Sequence, residues 1–180
     1  MAKIKGTGIV GVVRLLRERR DHVEPVLEAD LRPYLDRQVL VASWYPEADF
    51  LGLLRAMAYF TPKSGGDSWH WLGGHCAEVD LVEVYGSMVQ KGNVWGTLER
   101  FPRLWRLYHD SGQADVGMLR THEARVLVRD FAFADEDFCR FMTGYLRRML
   151  KLAGAKGIEV KAMRLGGVGK SATWQVRWGA

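Results

Sequence analysis

Near its end the chain carries Gly166-Gly167-Val168-Gly169-Lys170-Ser171, the residue types of a phosphate-binding loop. Such a loop follows a strand and opens a helix, because backbone N–H groups and the helix N-terminus hold the phosphate oxygens. Here Arg164 stands where the first glycine of that loop is expected, and residues 172–178 alternate as a strand. We therefore predict a hairpin loop between two strands and no nucleotide site.

A second group has the residue types that ligate zinc or iron: His70, His75 and Cys76, followed by Glu78 and Asp80. Two ligands on one helical face need a spacing of three or four residues, whereas the two histidines are five apart. The spacing favours a surface histidine and a buried cysteine. A metal site stays the alternative.

Two more histidines each precede a carboxylate, in His109-Asp110 and His122-Glu123. Side chains adjacent in sequence do not face each other on a helix or a strand, so neither pair is ready to relay a proton. Ser111 lacks the flanking residues of a nucleophile elbow. We expect no catalytic triad and a non-enzymatic protein.

The aromatic residues of the first two thirds of the chain are the remaining candidates. Helical aromatic side chains usually fill a core, but a cluster of them also lines cavities for small ligands. We predict that an apolar pocket is lined by Trp44, Tyr45, Trp69, Trp71, Trp105 and Tyr108.

These residues must be positioned by helices that come first and a sheet that comes after them. Apolar residues at helical spacing predict helices over residues 9–16, 22–29, 47–59, 69–89 and 93–112, the last with a kink at Pro102. The period then changes, and the pattern predicts strands at 114–118, 124–129, 158–165 and 172–178, with a helix at 135–153. The fold class is α+β, with N-terminal helices followed by a four-stranded antiparallel sheet in β-β-α-β-β order. We expect a single domain, residues 1–180, helical to about 111 and β-β-α-β-β from about 112.

The net charge and the composition limit the possible partners and the location of the protein. The net charge is +5, and residues 140–178 hold nine Lys or Arg against one acid, Glu159. This asymmetry favours a solvated surface, with an acidic protein, a membrane surface or nucleic acid as alternatives; we expect nucleic acid to be an unlikely partner. Two cysteines and no apolar run long enough to span a bilayer predict a cytoplasmic protein without a membrane span.

Four motifs carry a resemblance: Lys5-Gly6-Thr7, Ser43-Trp44-Tyr45-Pro46, residues 102–108 and Val176-Arg177-Trp178. Together they resemble a paralogous family of myxobacterial proteins, over most of the chain. That family is similar to the superfamily of haem-nitric-oxide-binding sensors, 4-vinyl-reductase-like domains and transport-particle subunits. The resemblance implies helices followed by a sheet around a cavity.

The resemblance also raises a cofactor question. Haem sensors of the superfamily carry a helical proximal histidine, which His109 resembles in position, and then a Tyr-x-Ser-x-Arg motif that this sequence lacks. The last hairpin of the 4-vinyl-reductase-like members carries two cysteines and a Gly-Asp turn, none of which occurs in residues 166–173. We therefore predict no cofactor, with haem through His109 as the alternative.

The expected function is a sensory domain that binds a small apolar or aromatic ligand and relays to a protein partner, or forms a homodimer. The alternative is an interaction or assembly module, in a dimer or a tethering-like complex, whose core is filled.

Overall fold

The computed structural model describes residues 1–61, 67–165 and 170–179. Its first part is mainly helical. The helices are α1 (Gly6–Glu18), α2 (Arg20–Val23), α3 (Glu47–Phe60), α4 (Ser68–Glu78), α5 (Val94–Leu98) and α6 (Phe101–Tyr108). Two short strands, β1 (Lys3–Lys5) and β2 (Trp44–Pro46), pair antiparallel, and Ala29–Leu35 forms a 3₁₀ helix.

The second part is a sheet with one helix across it. Its elements are β3 (Gln113–Arg120), β4 (Glu123–Arg129), α7 (Glu136–Leu152), β5 (Lys156–Leu165) and β6 (Ala172–Gly179). The strands lie in the order β3-β4-β6-β5 and all neighbours are antiparallel. The predicted fold class is confirmed.

Local sequence explains where the helices begin. Asp135 precedes α7 and its Oδ1 accepts the N–H of Phe138 at 2.8 Å, while Asn93 Oδ1 accepts the N–H of Gly96 at 2.8 Å and so caps α5. Pro102 lies in the first turn of α6, where a missing N–H costs nothing. It separates α5 from α6, so the helix predicted over 93–112 is two helices.

The helix predicted over residues 69–89 also differs. α4 ends at Glu78, and residues 79–84 form a π-helical turn in which the Tyr85 N–H donates to the Asp80 carbonyl at 2.7 Å. A short 3₁₀ turn, Gly86–Met88, comes next. Such widened turns often occur at functional sites, since they redirect a side chain. Asp80, which is buried, lies in this turn.

Two glycines let α4 cross α7 at close range. A Cβ on Gly73 would lie 1.8 Å from the Phe141 carbonyl oxygen, and one on Gly144 would lie 1.9 Å from that of His70. No side chain fits in either place. The close crossing holds α7 between α4 and the sheet.

One continuous set of buried side chains joins the helical part to the sheet. It runs from Ile4 and α1 through α3 and α4 to the inner face of the sheet, where Val126, Trp174 and Val176 are fully buried. The single domain stays a prediction, which this shared core supports. No helix among the described residues is both long enough and apolar enough to cross a membrane.

The glycine-rich stretch lies partly outside the described residues, because residues 166–169 are not among them. After Lys170 and Ser171 the chain continues as β6, an extended strand and not a helix. The helix N-terminus that a phosphate loop requires is therefore replaced by a strand. Residues 62–66, between α3 and α4, also lie outside the described residues.

Candidate functional site

A buried cavity of about 40 Å³ lies where α1, α4, α6 and α7 meet. Its lining is apolar and aromatic, with a few titratable side chains. The lining residues are Ile4, Gly8, Phe50, Cys76, Asp80, Phe101, Leu104, Trp105, Tyr108, His109, Phe138, Phe141, Met142 and Tyr145. A Cβ on Gly8 would lie 2.9 Å from Ile4 Cδ1 and 3.2 Å from Tyr108 Cδ1, so only glycine leaves this wall open.

Three polar side chains meet in this apolar surround: Asp80 from the π-helical turn, Tyr108 from α6 and Tyr145 from α7. All three are buried, with exposed fractions of 5%, 5% and 6%. Neither tyrosine hydroxyl has good hydrogen-bond geometry with a described atom, although both lie near enough to the Asp80 carboxyl to act on its pKa. A buried donor without a partner costs about 1–3 kcal/mol, so two together mark a place where a ligand or a water supplies the missing bonds.

Burial dominates the protonation of this cluster. Desolvation raises the pKa of Asp80 to about 8, although the nearby hydroxyls of Tyr108 and Tyr145 act in the opposite direction. Desolvation also raises the pKa of both tyrosines, and the Asp80 charge adds to it. Near neutral pH the cluster therefore holds a protonated carboxyl beside two phenols, which together can donate and accept hydrogen bonds without a net charge.

His109 also lines the cavity. Its Nδ1 lies 2.8 Å from Glu47 Oε1, and both side chains are buried, with exposed fractions of 10% and 1%. Its ring stacks on Trp105 at 4.0 Å between centroids, and the Trp105 N–H donates to the Ser111 carbonyl at 3.1 Å. Because the His109 Nδ1 contacts the Glu47 carboxylate, Nε2 is the ring nitrogen that is left to bind a ligand.

The structure brings together only part of the predicted aromatic pocket. Trp105 and Tyr108 line the cavity. Trp44 is half exposed beneath the Lys5 ammonium, and Tyr45 packs against Tyr34. Their role in binding a ligand stays a prediction.

The other two predicted residues also lie away from this cavity. Trp69 is buried in α4 without lining the cavity, and Trp71 is half exposed and stacks on His75 at 5.3 Å. Residues two apart in a helix point to different sides of it, so the aromatic side chains of α4 cannot all face the cavity. Ligand binding by these two stays a prediction as well.

Asp80, Tyr145 and Glu47 are functional candidates that the aromatic pattern does not reveal. Asp80 lies between Val79 and Leu81, with Glu78 and Glu83 close by in sequence, and the sequence associates it only with the possible metal ligands that precede it. Glu47 and Tyr145 carry no signal in the sequence, since each lies in an ordinary amphipathic helix. Only the packing of α3 and α7 places them here.

The possible metal ligands are not gathered in one place. Cys76 lines the cavity and burial raises the pKa of its thiol well above the usual value, while His75 faces outward against Trp71. Among the described residues, no three His, Cys, Asp or Glu side chains converge as a metal site requires. His122 lies in the β3–β4 turn with φ of 63°, far from His109 in the fold.

Comparison with solved structures shows that the fold is that of H-NOX domains. A structure from a study of haem distortion in the H-NOX family matches with a TM-score of 0.72 and 13% identity, over 97% of this chain and 94% of that one. An oxygen-binding H-NOX domain related to soluble guanylate cyclases, in its oxygen complex, gives 0.68 and 13%, with the same coverage. An Fe(II) unliganded mutant H-NOX protein from K. algicida gives 0.70 and 11%, over 98% and 97%.

The likeness is one of fold. No protein-family model and no curated protein matches the chain, so the resemblance to a myxobacterial family is not supported. The structural match extends over 97% of this chain and, at 13% identity, shows that the chain shares the fold of these H-NOX domains.

These neighbours correct one prediction. Each is an H-NOX domain, and haem or Fe(II) is named for the first and third. The prediction that the domain takes no cofactor is therefore wrong. Its basis was a missing Tyr-x-Ser-x-Arg motif, which concerns how haem is held and not whether the fold belongs with haem domains.

The residues present nevertheless do not fit a haem in this conformation. Pockets for drug-sized ligands measure about 300–1,000 Å³, whereas this cavity measures about 40 Å³. Trp105 covers the His109 ring, and no Arg or Lys is among the lining residues to pair with carboxylates. His109 has the carboxylate contact of a metal-bound histidine, but the space beside it is filled.

Proposed function

We propose that this chain is a sensory domain that binds a small molecule in the cavity between α6 and α7 and acts by binding rather than by catalysis. One observation carries the proposal: two buried phenol hydroxyls, of Tyr108 and Tyr145, have no partner among the described atoms beside the buried carboxyl of Asp80. Pockets that bind small ligands combine apolar walls with a few polar groups of this kind. The shared fold with H-NOX domains, one of which binds oxygen, adds support.

The size of the cavity limits the ligand. A cavity of about 40 Å³ holds roughly three waters. A ligand of three non-hydrogen atoms gains at most about 4.5 kcal/mol, which corresponds to a dissociation constant near 1 mM. A ligand that binds at micromolar concentration must therefore widen the cavity. Met142 and Leu104, which line it, have flexible side chains that can yield.

Widening would also move the N-terminal strands. Ile4 lines the cavity and forms a β-bridge with His109, and β1 pairs with β2. Exposed apolar residues lie near these strands in the chain, at Leu40, Val41 and Trp44. A shift of His109 would thus change the surface offered to a protein partner, which is the step a sensory domain needs.

An assembly module with a filled core is the second candidate, and the small volume of the cavity favours it. The two functions differ in the role of the tyrosine hydroxyls. An unpaired buried hydroxyl would only destabilise a filled core, whereas in a ligand-binding cavity it can form a hydrogen bond with the ligand.

Thermal melting with small ligands tests the proposal. The probes are phenol, imidazole and hemin, the last because the neighbours are H-NOX domains. Phenol, a ring with one hydroxyl, is expected to raise the melting temperature of the wild type and much less that of Tyr145→Phe, which keeps the ring and loses the hydroxyl. If hemin binds, the His109→Ala variant shows by its absorption spectrum whether His109 is the iron ligand. No shift with any probe, or equal shifts in wild type and Tyr145→Phe, would overturn the proposal.

A further inference from the structure

The sheet has two edge strands, β3 and β5, and β5 has ten residues. β5 pairs with β6 on one side, and within the described ranges no strand pairs with its other side. An unpaired edge presents a row of backbone N–H and C=O groups to solvent, and an extended peptide can add to it as a further strand.

The side chains along β5 divide between its two faces. Ile158 and Val160 are half-buried and pack against the core under α7. Lys156 and Lys161 are exposed. Its one acid, Glu159, is already engaged, with Lys161 Nζ at 2.8 Å and Arg177 at 3.9 Å.

A basic flank of α7, defined as Arg140, Arg147 and Lys151, lies on the same side as this edge. Thr143 faces the sheet, since the Trp174 indole N–H donates to its Oγ1 at 3.2 Å and to the backbone carbonyl of Cys139 at 3.4 Å. Gly144 faces α4, whereas Phe138 and Met142 face the cavity beside α6, which packs over β3. Helical spacing leaves the basic flank on the remaining side of α7, between α4 and the sheet and away from α6, which is the side of the β5 edge.

Two of these cations have no intramolecular partner in the described part of the chain. Arg140 pairs with Asp67 and Glu136, but Arg147 and Lys151 make no ion pair within 4 Å of a described acid. Both are at least partly exposed. Together with Lys156 and Lys161, they place a row of positively charged side chains along the unpaired edge of β5.

We propose that the β5 edge and the basic flank of α7 dock an acidic extended segment of a partner protein, which adds to the sheet as a fifth strand. The edge supplies backbone hydrogen bonds, and the cations select an acidic sequence and speed its encounter. The inference does not depend on the cavity or its ligand.

A second copy of this chain is a poorer occupant. Edge-to-edge pairing of two copies would bring the basic flanks of both α7 helices toward each other, and like charges at such a contact select against it. Nucleic acid is also a poorer occupant, because single strands bind on aromatic side chains. Neither the described side chains of β5 nor the basic flank of α7 includes an aromatic residue.

Fluorescence anisotropy tests the proposal. The probe is a labelled peptide of alternating glutamate and valine, titrated with the full chain at low ionic strength. Binding is expected, and the double variant Arg147→Glu/Lys151→Glu should weaken it about tenfold or more. The matched control is Arg103→Glu/Arg106→Glu, the same charge change on the exposed face of α6, which should leave the affinity unchanged.

Two N-methylated peptides then test the strand itself, one methylated at the glutamates and one at the valines. A strand uses alternate N–H groups against the edge, so one series should lose binding and the other keep it. Equal behaviour of the two series, equal loss in the two double variants, or no binding overturns the proposal. So does tighter binding of single-stranded DNA with the same variant dependence, or a dimer in sedimentation that the Arg147→Glu/Lys151→Glu change abolishes.

Discussion

His109 Nδ1 lies 2.8 Å from Glu47 Oε1, and this buried pair joins the end of α6 to the start of α3. Glu47 is 1% exposed, and its second oxygen, Oε2, has no partner among the described atoms. His109 in turn stacks on Trp105 in the cavity wall. One contact therefore links the cavity to the helix that begins beside β2.

Removing either member of this pair should destabilise the protein. His109→Ala leaves the buried Glu47 carboxyl without its partner among the described residues, and an unsatisfied buried group costs about 1–3 kcal/mol. Glu47→Ala should cost less in the His109→Ala background than in the wild type, because the contact is already gone. Urea unfolding of the four proteins measures the difference. The control is Glu99→Ala at an exposed site, which should change the free energy of unfolding by less than about 0.5 kcal/mol. If the destabilisation by Glu47→Ala and that by His109→Ala simply add in the double variant, the account is contradicted.

Asp80 makes stability fall as pH rises. Its pKa is about 8 in the folded protein and about 3.9 in an unfolded chain, so between these values the folded state keeps a proton that the unfolded state has released. The free energy of unfolding should then decrease with pH from about 4 to about 8, with a slope of up to about 1.4 kcal/mol per pH unit from this group.

Asp80→Asn should remove that slope and raise stability at pH 8. Urea unfolding at several pH values measures it, and Asp30→Asn, at an exposed site, is the matched control that should leave the slope unchanged. An unaltered slope in Asp80→Asn would show that Asp80 does not keep its proton in the fold.

Two tyrosine-to-phenylalanine changes should act with opposite signs. Tyr145→Phe removes an unpaired buried hydroxyl and should stabilise the ligand-free protein by about 1 kcal/mol. Tyr34→Phe removes a hydroxyl that donates to Asp49 Oδ2 at 2.7 Å and should cost about 1–2 kcal/mol. Denaturant unfolding compares them; destabilisation by Tyr145→Phe would mean that its hydroxyl is already satisfied.

Neighbouring glycines of α4 should respond differently to alanine. At Gly73 the new methyl group would lie 1.8 Å from a carbonyl oxygen of α7, so Gly73→Ala should cost about 1–3 kcal/mol or more. At Gly74 the nearest atom is 3.8 Å away, and Gly74→Ala should gain up to about 1 kcal/mol from helix propensity. Melting temperatures measured side by side check this pair, and a tolerated Gly73→Ala would contradict the close crossing.

Much of the fold could be predicted because local patterns determine it. The alternation of Ala124–Arg129 and Ala172–Trp178 and the amphipathic run after Asp135 specify strands and a helix without tertiary information. The strands β1 and β2 could not be predicted in this way, since each has three residues and forms only by pairing with the other. The π-helical turn at Asp80 likewise depends on packing.

The site was predictable only in part. Trp105 and Tyr108 were found because aromatics in a helix are visible in sequence. Glu47, Asp80 and Tyr145 come together from three separate elements, and no spacing rule connects residues so far apart. The two unpaired hydroxyls are properties of the packed core alone.

The most direct measurement is the methyl NMR signal of Met142 during titration with phenol. Met142 lines the cavity, whereas Met163 is 59% exposed and serves as the internal control. The account predicts a saturable shift of the Met142 methyl, little change at Met163, and a weaker response in Tyr145→Phe. A Met142 signal that does not move, or that moves no more than that of Met163, would contradict it.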